Sequence, residues 1–190
     1  MKLLLNKIFL IFFILSFPFV LADNSKRGLA GYEWGNISAV KNARGHSNMG
    51  NVYFKEGKYV AALKEYQIAY NLTSELPVSS TYLYNISRCF MKVNNYALAK
   101  NALLGAIEKE CMNITYYKAL VDCYILLGED RQELSKYLSD YSNPYNRIVA
   151  GLIYLKTGDN LSAKIIFDEF ISDNPDMLIT NDIKAILRSL

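Results

Sequence analysis

Residues 43–72 read ARGHSNMGNVYFKEGKYVAALKEYQIAYNL, and this stretch decides the fold. Met49, Gly50 and Tyr53 recur at helical spacing on one face, and Tyr59, Ala62, Tyr66 and Ala69 do the same further on. The two runs meet at Gly57-Lys58, where a tight reversal needs a residue free to take positive φ. The spacing therefore predicts two amphipathic helices joined by a short turn. Gly50, Ala62 and Ala69 are small residues on otherwise bulky faces, which lets two helix backbones approach closely while neighbouring aromatics fill the remaining space. One such hairpin cannot bury its own apolar faces, so it requires neighbours of the same kind.

The series Gly50, Tyr53, Gly57, Tyr59, Ala62, Tyr66 and Ala69 resembles the tetratricopeptide (TPR) repeat, a helix-turn-helix unit of about 34 residues. A second copy spans about residues 80–113. Ile86, Ser87 and Phe90 stand for Met49, Gly50 and Tyr53, Asn94 stands for the turn glycine, and Tyr96, Ala99, Leu103 and Ala106 complete the second helix. Ser79 or Ser80 is the expected cap of its first helix. A third copy, 114–143, carries Leu120, Val121, Tyr124 and the turn residue Gly128. Its second helix has Glu133 and Asp140 where alanine is expected, so it should be short, shifted or loosely packed. The fourth, 144–176, opens on Asn143-Pro144, a cap followed by a proline at the first helical position. It continues through Ala150, Gly151, Tyr154, Gly158, Ala163 and Phe167. Phe170 is too large for the last small position. Residues 177–190, with Ile179, Ile183, Ile186 and Leu187 on one face, form the expected capping helix that a solenoid needs.

The expected fold is therefore all-α. The resemblance implies a right-handed α-solenoid of antiparallel helix pairs with a C-terminal capping helix. It also implies a protein-interaction function, in which the first helix of each pair lines a concave groove holding a peptide or helix of another protein. Carried onto this chain, the groove positions are Arg44, Asn51 and Lys55 in the first repeat, with Phe54 beside them. They are Tyr84, Arg88 and Lys92 in the second, with Met91, and Lys118 in the third, with Asp122, Ile125 and Leu126. In the fourth they are Tyr145, Ile148, Leu152 and Leu155. That last set is an apolar stripe on a helix whose opposite face, Ala150, Gly151 and Tyr154, is also apolar, and a helix apolar all round is buried. Three occupants of the stripe stay open: a partner's apolar anchor, internal cover by this chain, or a second copy in a homodimer. The chaperone-tail clamp of some TPR proteins is matched by Asn51 and Asn85, but Ser47, Thr115 and Ala119 stand where its basic residues belong.

Residues 1–22 read as a secretory signal peptide. Lys2 and Lys7 precede an apolar run from Ile8 to Phe17, and Val20-Leu21-Ala22 offers a cleavage site. The expectation is an exported chain, periplasmic or secreted, or one anchored to the membrane if the segment is not cleaved. Residues 23–42 read as a polar tether with one short helix, and Trp34 within it as an anchor onto the first repeat.

The chain has 190 residues, 21 basic and 18 acidic, with 52% hydrophobic residues. Near-balanced charge without a dense basic patch argues against a nucleic-acid partner. Its one histidine, His46, reads as a packing residue. Cys89 and Cys123 hold equivalent positions in successive repeats and read as small buried fillers, while Cys111 falls in a loop. No paired acid–base constellation, metal-ligand spacing or glycine-rich phosphate loop is present, so neither an enzyme, a cofactor nor a metal is expected.

Overall fold

The computed structural model describes residues 29–73 and 76–190. The expected signal peptide and residues 23–28 lie outside them, and so does the side chain of Trp34. Nine helices and no strand occur among the described residues. They are α1 (Leu29–Lys55), α2 (Tyr59–Asn71), α3 (Leu76–Lys92), α4 (Tyr96–Lys109), α5 (Ile114–Leu127), α6 (Asp130–Ser139), α7 (Pro144–Thr157), α8 (Asn160–Asp173) and α9 (Thr180–Leu187).

The helices pair because four turns share one geometry. Gly57, Asn94, Gly128 and Gly158 all have positive φ, between 58° and 88°. In the first turn the Gly57 N–H donates to the Phe54 carbonyl and the Lys58 N–H reaches back to the Tyr53 carbonyl, at 3.1 and 2.9 Å. The same two bonds recur at Asn94-Asn95, Gly128-Glu129 and Gly158-Asp159. This is the Schellman arrangement, which satisfies the last carbonyls of one helix and reverses the chain. A Cβ at Gly57, Gly128 or Gly158 would meet nothing within 4 Å, so glycine is there for its φ and not for space. Asn94 can replace it because asparagine tolerates the left-handed region. The following helix is then started by a side chain: Asn95 accepts from the Leu98 N–H and Asp159 from the Ser162 N–H. Hydrogen bonding from Ser162 holds the Asp159 carboxyl below its ordinary value.

Within a pair, the small residues let aromatic rings lie on the backbone of the facing helix. A Cβ on Gly50 would sit 2.8 Å from the Tyr66 ring, and one on Gly151 only 2.4 Å from Phe167. Ala62, Ala69, Ala99, Ala106 and Ala163 are fully buried, as are Tyr66, Leu103 and Phe167. Ser87 takes the glycine position in the second pair and hides its hydroxyl on the Tyr84 carbonyl at 2.6 Å. Between pairs, α2 packs on α3, α4 on α5, and α7 on both α5 and α6. The largest core runs through α4, α5, α7, α8 and the α9 end, joining Leu103, Tyr117, Leu120, Ile148, Phe167 and Ile183.

Repeat three behaves as its composition requires. The helix α6 has ten residues and no buried side chain. It is held by Leu134 and Tyr137 at the core edge and by a 2.8 Å hydrogen bond between the Tyr124 and Tyr137 hydroxyls. Phe170 is fully buried in the same cluster as Ile179 and Ile183, so the C-terminal helix does cover the last apolar surface.

Three local expectations change. Residues 29–42 are helical, because α1 begins at Leu29 rather than after a tether. The segment contains no proline, and Ala30, Glu33, Ala39 and Lys41 favour helix strongly enough to carry Gly31 and Gly35. The second repeat's first helix begins at Leu76, so Ser79 and Ser80 lie inside it, both buried, and do not cap it. Ser80 instead joins a polar knot: its hydroxyl lies 2.7 Å from the Glu110 carboxylate and 3.2 Å from the Tyr116 hydroxyl. His46 is half-exposed and places Nδ1 2.7 Å from the Glu65 carboxylate, so among the described residues it makes a polar contact across its own pair rather than a packing contact.

The close approach at Gly151 makes a sharp prediction. Gly151→Ala should lower stability by about 1–3 kcal/mol through overpacking against Phe167. Gly105→Ala, whose Cβ would stand 3.4 Å from Leu83, should be neutral or slightly stabilising, because alanine is the better helix former. Urea midpoints of the two variants check this directly.

Candidate functional site

The first helix of each pair, α1, α3, α5 and α7, carries the groove positions. Side-chain direction along a helix puts residues three and four apart on one face, and the structure brings the C-terminal halves of three of these helices together. Phe54 of α1, Arg88, Met91 and Lys92 of α3, and Leu126 of α5 line one depression of about 430 Å3, with Tyr96 of α4 closing it. Leu126 is half-exposed at 52% although it is large and apolar.

Arg88 is the organising side chain of this depression. Its guanidinium lies 4.3 Å from the centre of the Phe54 ring and 5.9 Å from that of Tyr84. One Nη donates to the side-chain oxygen Oδ1 of Asn85 at 3.2 Å. Phe54 is itself braced edge-on by Tyr59 at 5.3 Å, and Tyr84 leans on Tyr116 at 5.2 Å. Rings on the flanks and a neutral amide hold the guanidinium in place while several of its five N–H donors remain uncommitted.

The electrostatics divide the face in two. Lys156 of α7 pairs with Asp122 of α5 at 2.7 Å, so charge there is neutralised. Glu129 is taken by Lys100, Glu56 by Lys58 and Asp173 by Arg147. Among the described residues, Lys55, Arg88 and Lys92 have no carboxylate within ion-pair distance. This end of the face is therefore cationic and aromatic.

The remaining groove positions sort as follows. Arg44, Lys55, Lys92 and Lys118 are exposed. Asn51 is exposed too, but its side-chain oxygen accepts the Tyr66 hydroxyl at 2.7 Å, so it also ties α1 to α2. Tyr145 is half-buried and its hydroxyl receives the Cys111 thiol at 3.2 Å; that contact pushes the phenol upward from its ordinary value. Leu155 is half-buried at the core edge.

Ile148 and Leu152 are not on an open face. They are 0% and 4% exposed and belong to the main core with Tyr117, Leu120 and Val121. The cause is that α7 is packed against α5, α6 and α8 together, so both of its apolar faces are covered within the chain. Ile148 and Leu152 are covered within the chain and offer no surface to a partner or to a second copy, while Tyr145 and Leu155 at the ends of the stripe are half-buried.

Tyr96 is the groove residue that spacing alone missed. Its repeat position marked it as packing, but its hydroxyl turns to the Asn94 side chain at 2.8 Å and its ring lines the depression. A second depression, about 400 Å3, lies beside the first pair and is lined by Lys41, His46, Met49, Tyr53 and Glu65 among others. Met49 is 47% exposed there, because no preceding pair packs on it among the described residues.

The thiols are unpaired with one another. Burial pushes Cys89 and Cys123 up to about 11, so both stay protonated at neutral pH. Among the described residues no three of His, Cys, Asp and Glu gather as a metal site, and no described helix is long and apolar enough to cross a membrane.

No protein-family model and no curated protein matches this chain. Solved structures do. A tetratricopeptide repeat protein from Parabacteroides merdae ATCC 43184 is 18% identical with a TM-score of 0.50, over 77% of this chain and 59% of that one. The present chain thus spans about three fifths of that neighbour's length. YrrB, described as a TPR protein with an unusual peptide-binding site, is 20% identical with a TM-score of 0.45, over 78% of this chain and 76% of that one. With the helix pairs and turns above, the first likeness shows that the chain has the fold of TPR proteins, an α-solenoid of helix pairs.

Two measurements check this geometry. Leu152→Asp should abolish cooperative folding, since an unpaired carboxylate in the core costs several kcal/mol or more, whereas Lys92→Glu should leave the circular dichroism and the melting midpoint nearly unchanged. Iodoacetamide at about pH 8 should label Cys111 alone in the native protein, because the thiolate is the reactive form and the other two thiols are buried and protonated. All three should react after denaturation.

Proposed function

We propose that this chain is an interaction module that holds a segment of another protein on the first-helix face, and that it works outside the cytoplasm. The observation that carries the proposal is the depression shared by α1, α3 and α5. It combines an exposed apolar floor with a guanidinium already held in position. A solenoid presents such a face without needing to change shape, because each pair is fixed by its neighbours. The site offers recognition and no chemistry: it holds no nucleophile beside a base and no acid–base pair, and the buried thiols are turned into the core. The partner in this reading is a peptide or helix of another protein. Export rests on residues 1–22, whose two lysines and apolar run have the pattern of a secretory leader.

Site-specific photo-crosslinking in the native cell compartment tests the placement. A photoreactive residue at Lys92 or Lys118 should capture a discrete partner band, while the same residue at Leu161 or Ile165, exposed on α8, should not. Capture from α8 alone would overturn the first-helix face as the binding surface. Fractionation of the same cells should place the chain outside the cytoplasm; recovery in the cytoplasm would overturn the export reading.

A further inference from the structure

The chemistry of the occupant can be read from the same depression, an inference that rests on the proposed binding face. We infer that the site takes an acidic segment in which a large apolar side chain stands beside Asp or Glu side chains, with the apolar group seated on Phe54, Met91 and Leu126 and a carboxylate on Arg88.

Three features converge on this occupant. The first is charge. Arg88 and Lys92 line the depression and exposed Lys55 follows Phe54 on α1, all three without a carboxylate partner among the described residues, while Asp122 is spent on Lys156, Glu56 on Lys58 and Glu129 on Lys100. A basic or neutral ligand would leave this charge uncompensated, and an acidic one compensates it. The second is the state of the guanidinium. Arg88 lies on the Phe54 ring and is fixed by Asn85, so it presents a planar fork of donors whose orientation is set before the ligand arrives. A planar, weakly hydrated fork on an aromatic support matches a carboxylate far better than it matches a neutral or cationic group. The third is the floor. Leu126 is half-exposed and Phe54 and Met91 are only partly buried, so an apolar side chain entering the depression removes apolar surface from water next to the charge. Methionine on that floor adapts to more than one side-chain shape.

The two parts reinforce each other. An apolar anchor that covers the depression excludes water from the Arg88–carboxylate pair, and a charge pair strengthens as water leaves it. The further cations, Lys55 and Lys92, are exposed and act through the screened field, so their contribution should fall with added salt. Toward α7 the Asp122–Lys156 pair neutralises part of the charge and leaves Lys118 of α5 as an exposed cation, so the acidic requirement is strongest at the α1–α3 end.

The test is selection of a library of random short peptides, displayed internally so that no free C-terminus is offered, against the whole chain. Binders should be enriched in Asp or Glu next to Leu, Ile, Phe or Trp. Their affinity for Arg88→Met should fall about tenfold or more, as for loss of a charge-assisted bidentate contact. Because Arg88→Met removes a packed group, exposed Lys92→Glu is the second variant: it should also weaken the same binders, and the weakening should shrink at high salt. Enrichment of neutral or basic peptides, no enrichment at all, or binding by both variants as tight as by the unsubstituted chain would overturn the inference. If Lys118 still crosslinks a partner in that case, the groove stands and only its assigned chemistry falls; if no position on this face crosslinks, the binding-face reading itself fails.

Discussion

The contact on which the rest of this structure depends is an aromatic ring laid on a bare stretch of helix backbone. Tyr66 lies on Gly50, and Phe167 on Gly151, closer than any side chain at the glycine would permit. This contact fixes how near the two helices of a pair stand, and so how the outer surfaces of the pair are spaced for the next one. Burying a large aromatic side chain contributes about 1.5–3 kcal/mol, but what matters here is where the burial is directed. The ring fills the interior of its own pair and leaves both outer faces free to pack against neighbours. The turns then make the pairing obligatory. Four left-handed residues and eight backbone bonds reverse the chain at the same point in each unit.

The same constraint explains the functional face. The second helices stand between successive first helices, each packed on the next pair, and residues of three first helices meet on one face. Phe54, Met91 and Leu126 come from three different helices and still meet in one depression. Phe54 and Met91 also pack on the core beneath them, while Leu126 is half-exposed, so the floor joins residues anchored in the scaffold to one that is open. The face is thus a product of the scaffold's regularity. Arg88 is the clearest case, with aromatic support from Phe54 in one pair and Tyr84 in another.

Most of the helix-pair pattern was legible from residue spacing, because glycine and asparagine at the turns and alanine at the contact positions each answer a local need. The weak second helix of the third repeat was legible for the same reason: Glu133 and Asp140 cannot sit where alanine is buried. What spacing could not settle was which face is covered. Ile148 and Leu152 occupy groove positions by count, yet α6 is so short and polar that α7 settles against α5, α6 and α8 at once and buries both its faces. That outcome depends on the sum of three packings. The start of α3 at Leu76 escaped for a different reason. Pro77 resembles a helix breaker in sequence but is harmless in a first turn, where its missing N–H has no partner to lose. His46 was misjudged because repeat position implies a packing neighbour that the first pair does not have among the described residues.

Amide hydrogen exchange on the chain with and without the partner captured on the first-helix face tests the central claim most directly. The account predicts slowed exchange in residues 53–55, 84–92 and 118–126, where α1, α3 and α5 border the depression, with α6 and α8 unchanged. Slowing confined to the second helices, or spread evenly along the chain, would contradict it.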